Sequence, residues 1–191
     1  MTILILGIVV FLGVHTLTTL RPTREALVAR MGEGPYKGLY SLASLLGLIL
    51  IVYGFKSYRD TGYIQVWDPP AGMRHATMLL MWPAMICLVA AYVPGGIKRV
   101  LKHPMLVAVK LWALAHLLVN GDLGSMILFG SFLAWAVYDR ISVKRRERAG
   151  EIKIQYGGRL NDVVAVVLGT VLYGAFIFLH PLLIGVPVVN F

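Results

Sequence analysis

The sequence predicts an all-α fold, a polytopic membrane bundle of about six transmembrane helices. Three observations carry this. Hydrophobic residues make up 58% of the 191-residue chain and charged residues 14%, against roughly 25% charged in a soluble domain. The apolar residues are gathered in blocks that approach the roughly 20 residues needed to cross a hydrocarbon core about 30 Å thick. The basic residues fall between those blocks, because an unpaired ion inside lipid is costly. The size suits one domain over residues 1–191.

The first predicted helix runs from Ile3 to Leu20. Its apolar run begins at Thr2 with no basic segment before it, so it reads as a membrane helix rather than a cleavable signal peptide. A polar loop with Arg21, Pro22, Arg24, Arg30 and Lys37 follows. The second helix spans Gly38 to Phe55, and its following loop contains Asp68-Pro69-Pro70, which no helix tolerates. The third runs from Arg74 to Val93 and stops at Pro94-Gly95-Gly96. A short basic turn with Lys98, Arg99 and Lys102 leads to Pro104, well placed in the first turn of a fourth helix that reaches Asn120. Gly121-Asp122 turns the chain, and Asp122 is the expected N-cap of a fifth helix ending near Tyr138. A basic stretch from Arg140 to Arg159 precedes a sixth helix, expected to be capped by Asp162, interrupted by His180-Pro181 and finished near Ile184.

The net charge of +9 does not point to nucleic acid, because the charge is distributed by loop. Fourteen of the 18 Lys and Arg residues lie in the first, third and fifth connections. By the positive-inside rule these connections are cytoplasmic. Both termini are then periplasmic, in a bacterial inner (cytoplasmic) membrane, with Tyr63 and Trp67 in an outer interfacial belt. Cys87 is the one cysteine, so no intrachain disulfide forms, and its apolar surroundings point to inert packing. The chain has no Gly-rich phosphate loop, nucleophile elbow or HExxH, which argues against ATP-driven or hydrolytic chemistry.

Polar groups inside a span are therefore the candidates for chemistry. Histidine stands at positions 15, 75, 103, 116 and 180, and Lys110 is the one lysine within a span. His15 shares a helix face with Phe11 and Thr19, and His116 shares one with Trp112 and Asn120. Each imidazole either makes an interhelical hydrogen bond or serves as an axial haem ligand. His103 and His116 are thirteen residues apart and project to nearly opposite faces, so they do not share a cofactor on a straight helix. His15 lies about 7 Å and His116 about 18 Å above the cytoplasmic end of their helices, so an iron held by both needs a tilted haem plane. By depth alone, His75 pairs with His116. His103 reads as a solvated residue at the cytoplasmic lip and His180 as structural. Lys110 is expected to snorkel to the cytoplasmic surface. Arg21, Arg74 and Arg99 lie near helix ends, where they can hold haem propionates.

Four segments then carry a family resemblance: Val14-His15-Thr16-Leu17 with Leu20-Arg21, Arg74-His75-Ala76, Lys102-His103-Pro104, and Leu114-Ala115-His116-Leu117-Leu118. In this order, with the thirteen-residue gap, the chain resembles the NnrU family and the related membrane enzyme 15-cis-zeta-carotene isomerase over roughly residues 3–140. The resemblance implies haem b between helices, with the ligand positions falling on His15 and His116. It also implies redox-dependent cis-trans isomerisation of an apolar polyene such as a carotenoid, drawn from the membrane lipid. The alternative it implies is a redox, sensing or assembly partner for nitrite and nitric oxide reduction. Lys102 stands where the family usually has Arg, and Ala113 where the plant isomerase has Cys, so no thiolate ligand exists there. The His-Pro segment is also similar to that of isoprenylcysteine methyltransferases, but their downstream acidic and aromatic motif is missing.

Overall fold

Lipid offers no partner to a backbone N–H or C=O, so a spanning segment must close its hydrogen bonds on itself. The computed structural model, described for residues 1–152, 154 and 156–188, is accordingly helical, with no strand among the described residues. In order the helices are α1 (Thr2–Leu17), α2 (Arg21–Met31), α3 (Glu33–Asp60), α4 (Met73–Tyr92), α5 (Gly96–Leu101), α6 (Pro104–Leu117), α7 (Leu123–Arg148) and α8 (Arg159–Ile184). Six of these helices are apolar, roughly compatible with the expected number of about six, and four or five of them meet the length and composition of a membrane span. α3, α4, α7 and α8 are each long and apolar enough to cross a membrane; α1 meets that test together with α2, and α6 is a shorter apolar helix. Leucine, isoleucine and valine side chains stand exposed along α3 and α8, where lipid has to cover them.

Five segments depart from the sequence expectation, and one of them is α3, which runs from Glu33 to Asp60 rather than from Gly38 to Phe55. The first polar loop contains α2, whose axis turns 86° from α1. The hydroxyls of Thr18 and Thr19 donate to the carbonyls of His15 and Thr16, both at 2.7 Å, at the end of α1. Pro22 then stands in the first turn of α2, where its missing N–H does no harm. The short basic turn contains α5. α7 runs on to Arg148 instead of stopping at Tyr138, because Lys and Arg are good helix formers and suit the negative end of the helix dipole. Pro181 does not interrupt the last helix, which continues to Ile184. Lys153 of the basic stretch lies outside the described residues.

The two predicted caps separate. Asp122 caps α7 as expected, its Oδ1 accepting from the Ser125 N–H at 2.9 Å. Asp162 does not cap its own helix, which begins at Arg159 with Gly158 in the cap position. Its carboxylate reaches across to α5, accepting from the N–H groups of Gly96 and Ile97, both at 2.8 Å. Asn161 beside it donates to the Pro94 carbonyl at 2.7 Å. The start of α8 thus clasps the turn between α4 and α5.

The six apolar helices pack in the order α3, α1, α7, α6, α4, α8, each against the next. Glycine sets the closest of these contacts. Gly7 of α1 lies on the backbone of Leu50 and Ile51, and Gly47 of α3 lies on the backbone of Phe11. Such small-residue contacts replace the hydrophobic driving force that lipid removes. The shared core joins Leu4 and Ile8 of α1, Ile51 of α3, Ala113 of α6, and Leu128 and Phe129 of α7. The loop after α3 pairs with the α6–α7 turn, through Val66 N–H to the Gly121 carbonyl at 2.8 Å and Leu123 N–H to the Ile64 carbonyl at 2.9 Å. Those two connections share one end of the bundle, and α2, α5 and the basic half of α7 occupy the other.

Two substitutions test this packing. A Cβ on Gly47 would sit 2.7 Å from the Phe11 nitrogen, so Gly47→Ala is expected to cost about 1–3 kcal/mol, seen as a lower thermal midpoint in detergent. Asp162→Ala uncaps α5 and is expected to lose about 0.5–2 kcal/mol in the same assay. An unchanged midpoint in either variant rejects the corresponding contact.

Candidate functional site

Inside an apolar bundle, the nearest partner for an imidazole is the carbonyl one turn back on its own helix. His15 and His116 both take it. The Nδ1 of His15 lies 2.6 Å from the Phe11 carbonyl oxygen, and the Nδ1 of His116 lies 2.8 Å from that of Trp112. A carbonyl only accepts, so Nδ1 carries the hydrogen in each ring and Nε2 keeps its lone pair. This is the arrangement in which a histidine binds a metal, the outer hydrogen bond fixing tautomer and ring direction.

The walls around the two rings are aromatic. His15 stacks on Phe11 with centroids 4.2 Å apart, with Tyr40 of α3 at 5.4 Å and Trp135 of α7 at 5.8 Å. His116 stacks on Phe129 of α7 at 4.6 Å and meets Trp112 at 5.4 Å. Asn120 donates to the His116 carbonyl at 2.8 Å, closing the end of that helix.

The two imidazoles do not stack on each other; each has its own ring partners. They touch α7 at Trp135 and Phe129, six residues and about 9 Å apart along its axis. Phe132 lies between, 5.6 Å from Phe11 and 5.4 Å from Trp112. One iron bonded to both Nε2 atoms requires the rings to face each other across it. The donor chemistry of either imidazole fits a haem iron.

The histidines divide by end. His15 and His103 belong to the basic end, with Asp139 of α7 close enough to His15 to feel its charge. His116 and His180 belong to the opposite end and lie within electrostatic range of each other, the Nδ1 of His180 2.6 Å from the Val186 carbonyl oxygen. His75 is exposed at the start of α4. With Met78, Leu79, Trp82 and Tyr173 of α8 it lines an open groove of about 360 Å³. Arg21 opens α2 and Arg74 lies in the first turn of α4, at opposite ends, so they cannot grip one cofactor edge together. Arg99 is exposed on α5, and Lys110 is half-buried without a hydrogen bond or ion pair among the described residues. Cys87 is buried, as inert packing requires. Among the described residues no three His, Cys, Asp or Glu side chains converge as a metal cluster.

Sequence reasoning missed the partners of His103. It precedes the first turn of α6, and its Nε2 lies 3.8 Å from Glu147 Oε2, beyond hydrogen-bond distance. Glu147 is instead paired with Lys102. Arg140 and Arg146 of α7 stand close enough to act on the His103 charge. The missed signal was spacing: Asp139, Arg140, Arg146 and Glu147 recur at seven residues, one face of a helix that was expected to have ended at Tyr138.

Burial holds His103 below the usual imidazole value, Arg140 pushes the same way, and Glu147 opposes them. A folded pKa below the unfolded one means that the unfolded chain binds the proton more readily. This contribution is present above the ordinary value near 6.5 and is lost as the pH falls through the folded value. The thermal midpoint of the wild-type protein is expected to drop more between about pH 7 and pH 5 than that of His103→Gln. Equal drops would reject the buried neutral imidazole.

A sequence model of the NnrU protein family matches residues 3–188. No curated protein and no solved structure matches the chain. The match begins in the first turn of α1 and ends past α8, taking in every helix described above, and the protein belongs to the NnrU family.

Proposed function

We propose that this NnrU protein is a membrane haem b protein in which His116 supplies an axial ligand. In this reading it serves nitrite and nitric oxide reduction as an electron-transfer, sensing or assembly partner. One observation carries the proposal: a histidine enclosed by Trp112 and Phe129, with Nδ1 tied to a backbone carbonyl and Nε2 without a hydrogen bond among the described residues. Haem, when bound, supplies one-electron exchange and gas binding at its iron. The chain's own contribution is to hold the imidazole in one tautomer, direct its lone pair and keep water away with aromatic walls. The partner role is favoured over polyene isomerisation because it needs only a held imidazole and its haem, whereas isomerisation also needs a chamber for a long conjugated chain.

The isomerase reading keeps one observation in its favour. The groove lined by His75, Met78, Leu79, Trp82 and Tyr173 is apolar, open and reached from the lipid-facing surface between α4 and α8. A cis-polyene incorporated in vesicles with the reduced protein should convert to its trans isomer if that reading holds, and remain unchanged if it does not.

The absorbance spectrum of the purified protein tests the leading proposal. A Soret band is expected in the wild type, lost or shifted in His116→Ala and retained in His15→Ala. Absence of the band, or an identical band in His116→Ala, rejects it.

A further inference from the structure

The basic end of the bundle holds a set of buried nitrogens that nothing among the described residues satisfies. Arg140 Nη1, Arg146 Nε and His103 Nε2 are all shielded from solvent and have no hydrogen-bond partner among those residues. A buried polar atom without a partner is uncommon in a folded protein and calls for a reason. These three belong to one neighbourhood: His103 Nε2 lies 3.8 Å from Glu147, which pairs with Lys102 and follows Arg146 directly on α7, with Arg140 seven residues before it on the same face.

The charge count has the same sign as the missing partner. Lys102, Arg140 and Arg146 bring three positive charges. Glu147 is already paired with Lys102, and Asp139, which stands near Arg146, is not in an ion pair with it. One positive charge therefore remains after both carboxylates are counted. The backbone adds to it. His103 occupies the N-cap position of the 14-residue α6 without any side-chain cap, so the positive end of that helix dipole faces the same cluster. Lys102 is the single non-glycine residue with positive φ, at 63°, among the described residues. Its side chain, 44% exposed, forms the rim.

We propose that this cluster binds a phosphate-type oxyanion held by Arg140, Arg146 and His103, with Lys102 at its mouth. Guanidinium N–H donors fit phosphate oxygens in charge and in forked geometry. Donors arriving from two helices suit a tetrahedral group with oxygens on several sides. The cluster lies where α7 leaves its apolar half for its basic one, the depth of a phospholipid headgroup if this end is cytoplasmic. The phosphate can belong to such a headgroup or be free in solution. The site is separate from His116 and does not depend on the haem reading.

The full-length protein in neutral detergent, with and without added ligand, tests this. One arm adds inorganic phosphate against chloride at equal ionic strength. The other adds phosphatidylglycerol against phosphatidylcholine in mixed micelles. A rise in thermal midpoint with phosphate alone identifies free phosphate as the occupant, and a rise with phosphatidylglycerol alone identifies the headgroup. In the responding arm, Arg140→Gln and Arg146→Gln are each expected to weaken binding about tenfold or more. Lys144→Gln, on the exposed side of the same helix, should not. If the arginine variants fail to fold, native mass spectrometry of the wild type reads the bound phosphate or lipid directly. No response in either arm, or equal responses in Arg140→Gln and Lys144→Gln, overturns the proposal.

Discussion

Phe132 of α7 is wedged between Phe11 of α1 and Trp112 of α6, and the rest of the arrangement follows from that wedge. It fixes α1 and α6 on α7, so the pairs α3–α1 and α6–α4 are carried as two wings of one central helix. In lipid, where burying a methyl group against a neighbour gains little over leaving it in hydrocarbon, such packing and close backbone contact have to do the holding. The glycine contacts between α1 and α3 do this for one wing. For the other, Gly169 of α8 rests on the backbone of Ile86 in α4, and Thr77 donates to the Ala115 carbonyl at 2.8 Å.

The same wedge divides the polar chemistry into two compartments. Each histidine on its wall is satisfied by its own helix, which leaves the second ring nitrogen of each available without any partner from a neighbouring span. At one end His116 faces aromatic rings and the neutral half of the bundle. At the other, His15 and His103 belong with Asp139, Glu147 and the arginines of α7. Because α7 passes through both compartments, a rotation of that one helix would be felt at both.

The apolar helices were legible in the sequence because lipid imposes a length on them that few other contexts require. α2, α5 and the last ten residues of α7 were not, because they are helical by propensity and capping while reading as polar connection. Asp122 was legible as a cap because its acceptor role is local, three residues along the chain. Asp162 was misread for the same reason: a local partner was assumed, whereas its N–H donors are more than sixty residues earlier in sequence and adjacent only in space. The histidines stood out as polar residues in apolar blocks, and their unequal depths already strained the idea of one shared iron. Arg140 and Arg146 did not stand out. A basic run beside a span has a sufficient explanation in membrane orientation, and only the turn of α7 toward His103 separates them from Lys144 and Arg145.

The clasp made by Asn161 and Asp162 has a consequence for assembly. Its two halves are the turn after α4 and the start of the final helix. During synthesis α4, α5 and α6 leave the ribosome before α8 exists, so the turn between the third and fourth apolar helices has unmet backbone donors until the last segment arrives. Closure of the bundle at that end is thus coupled to completion of the chain, and a nascent protein lacking its final span lacks this latch as well.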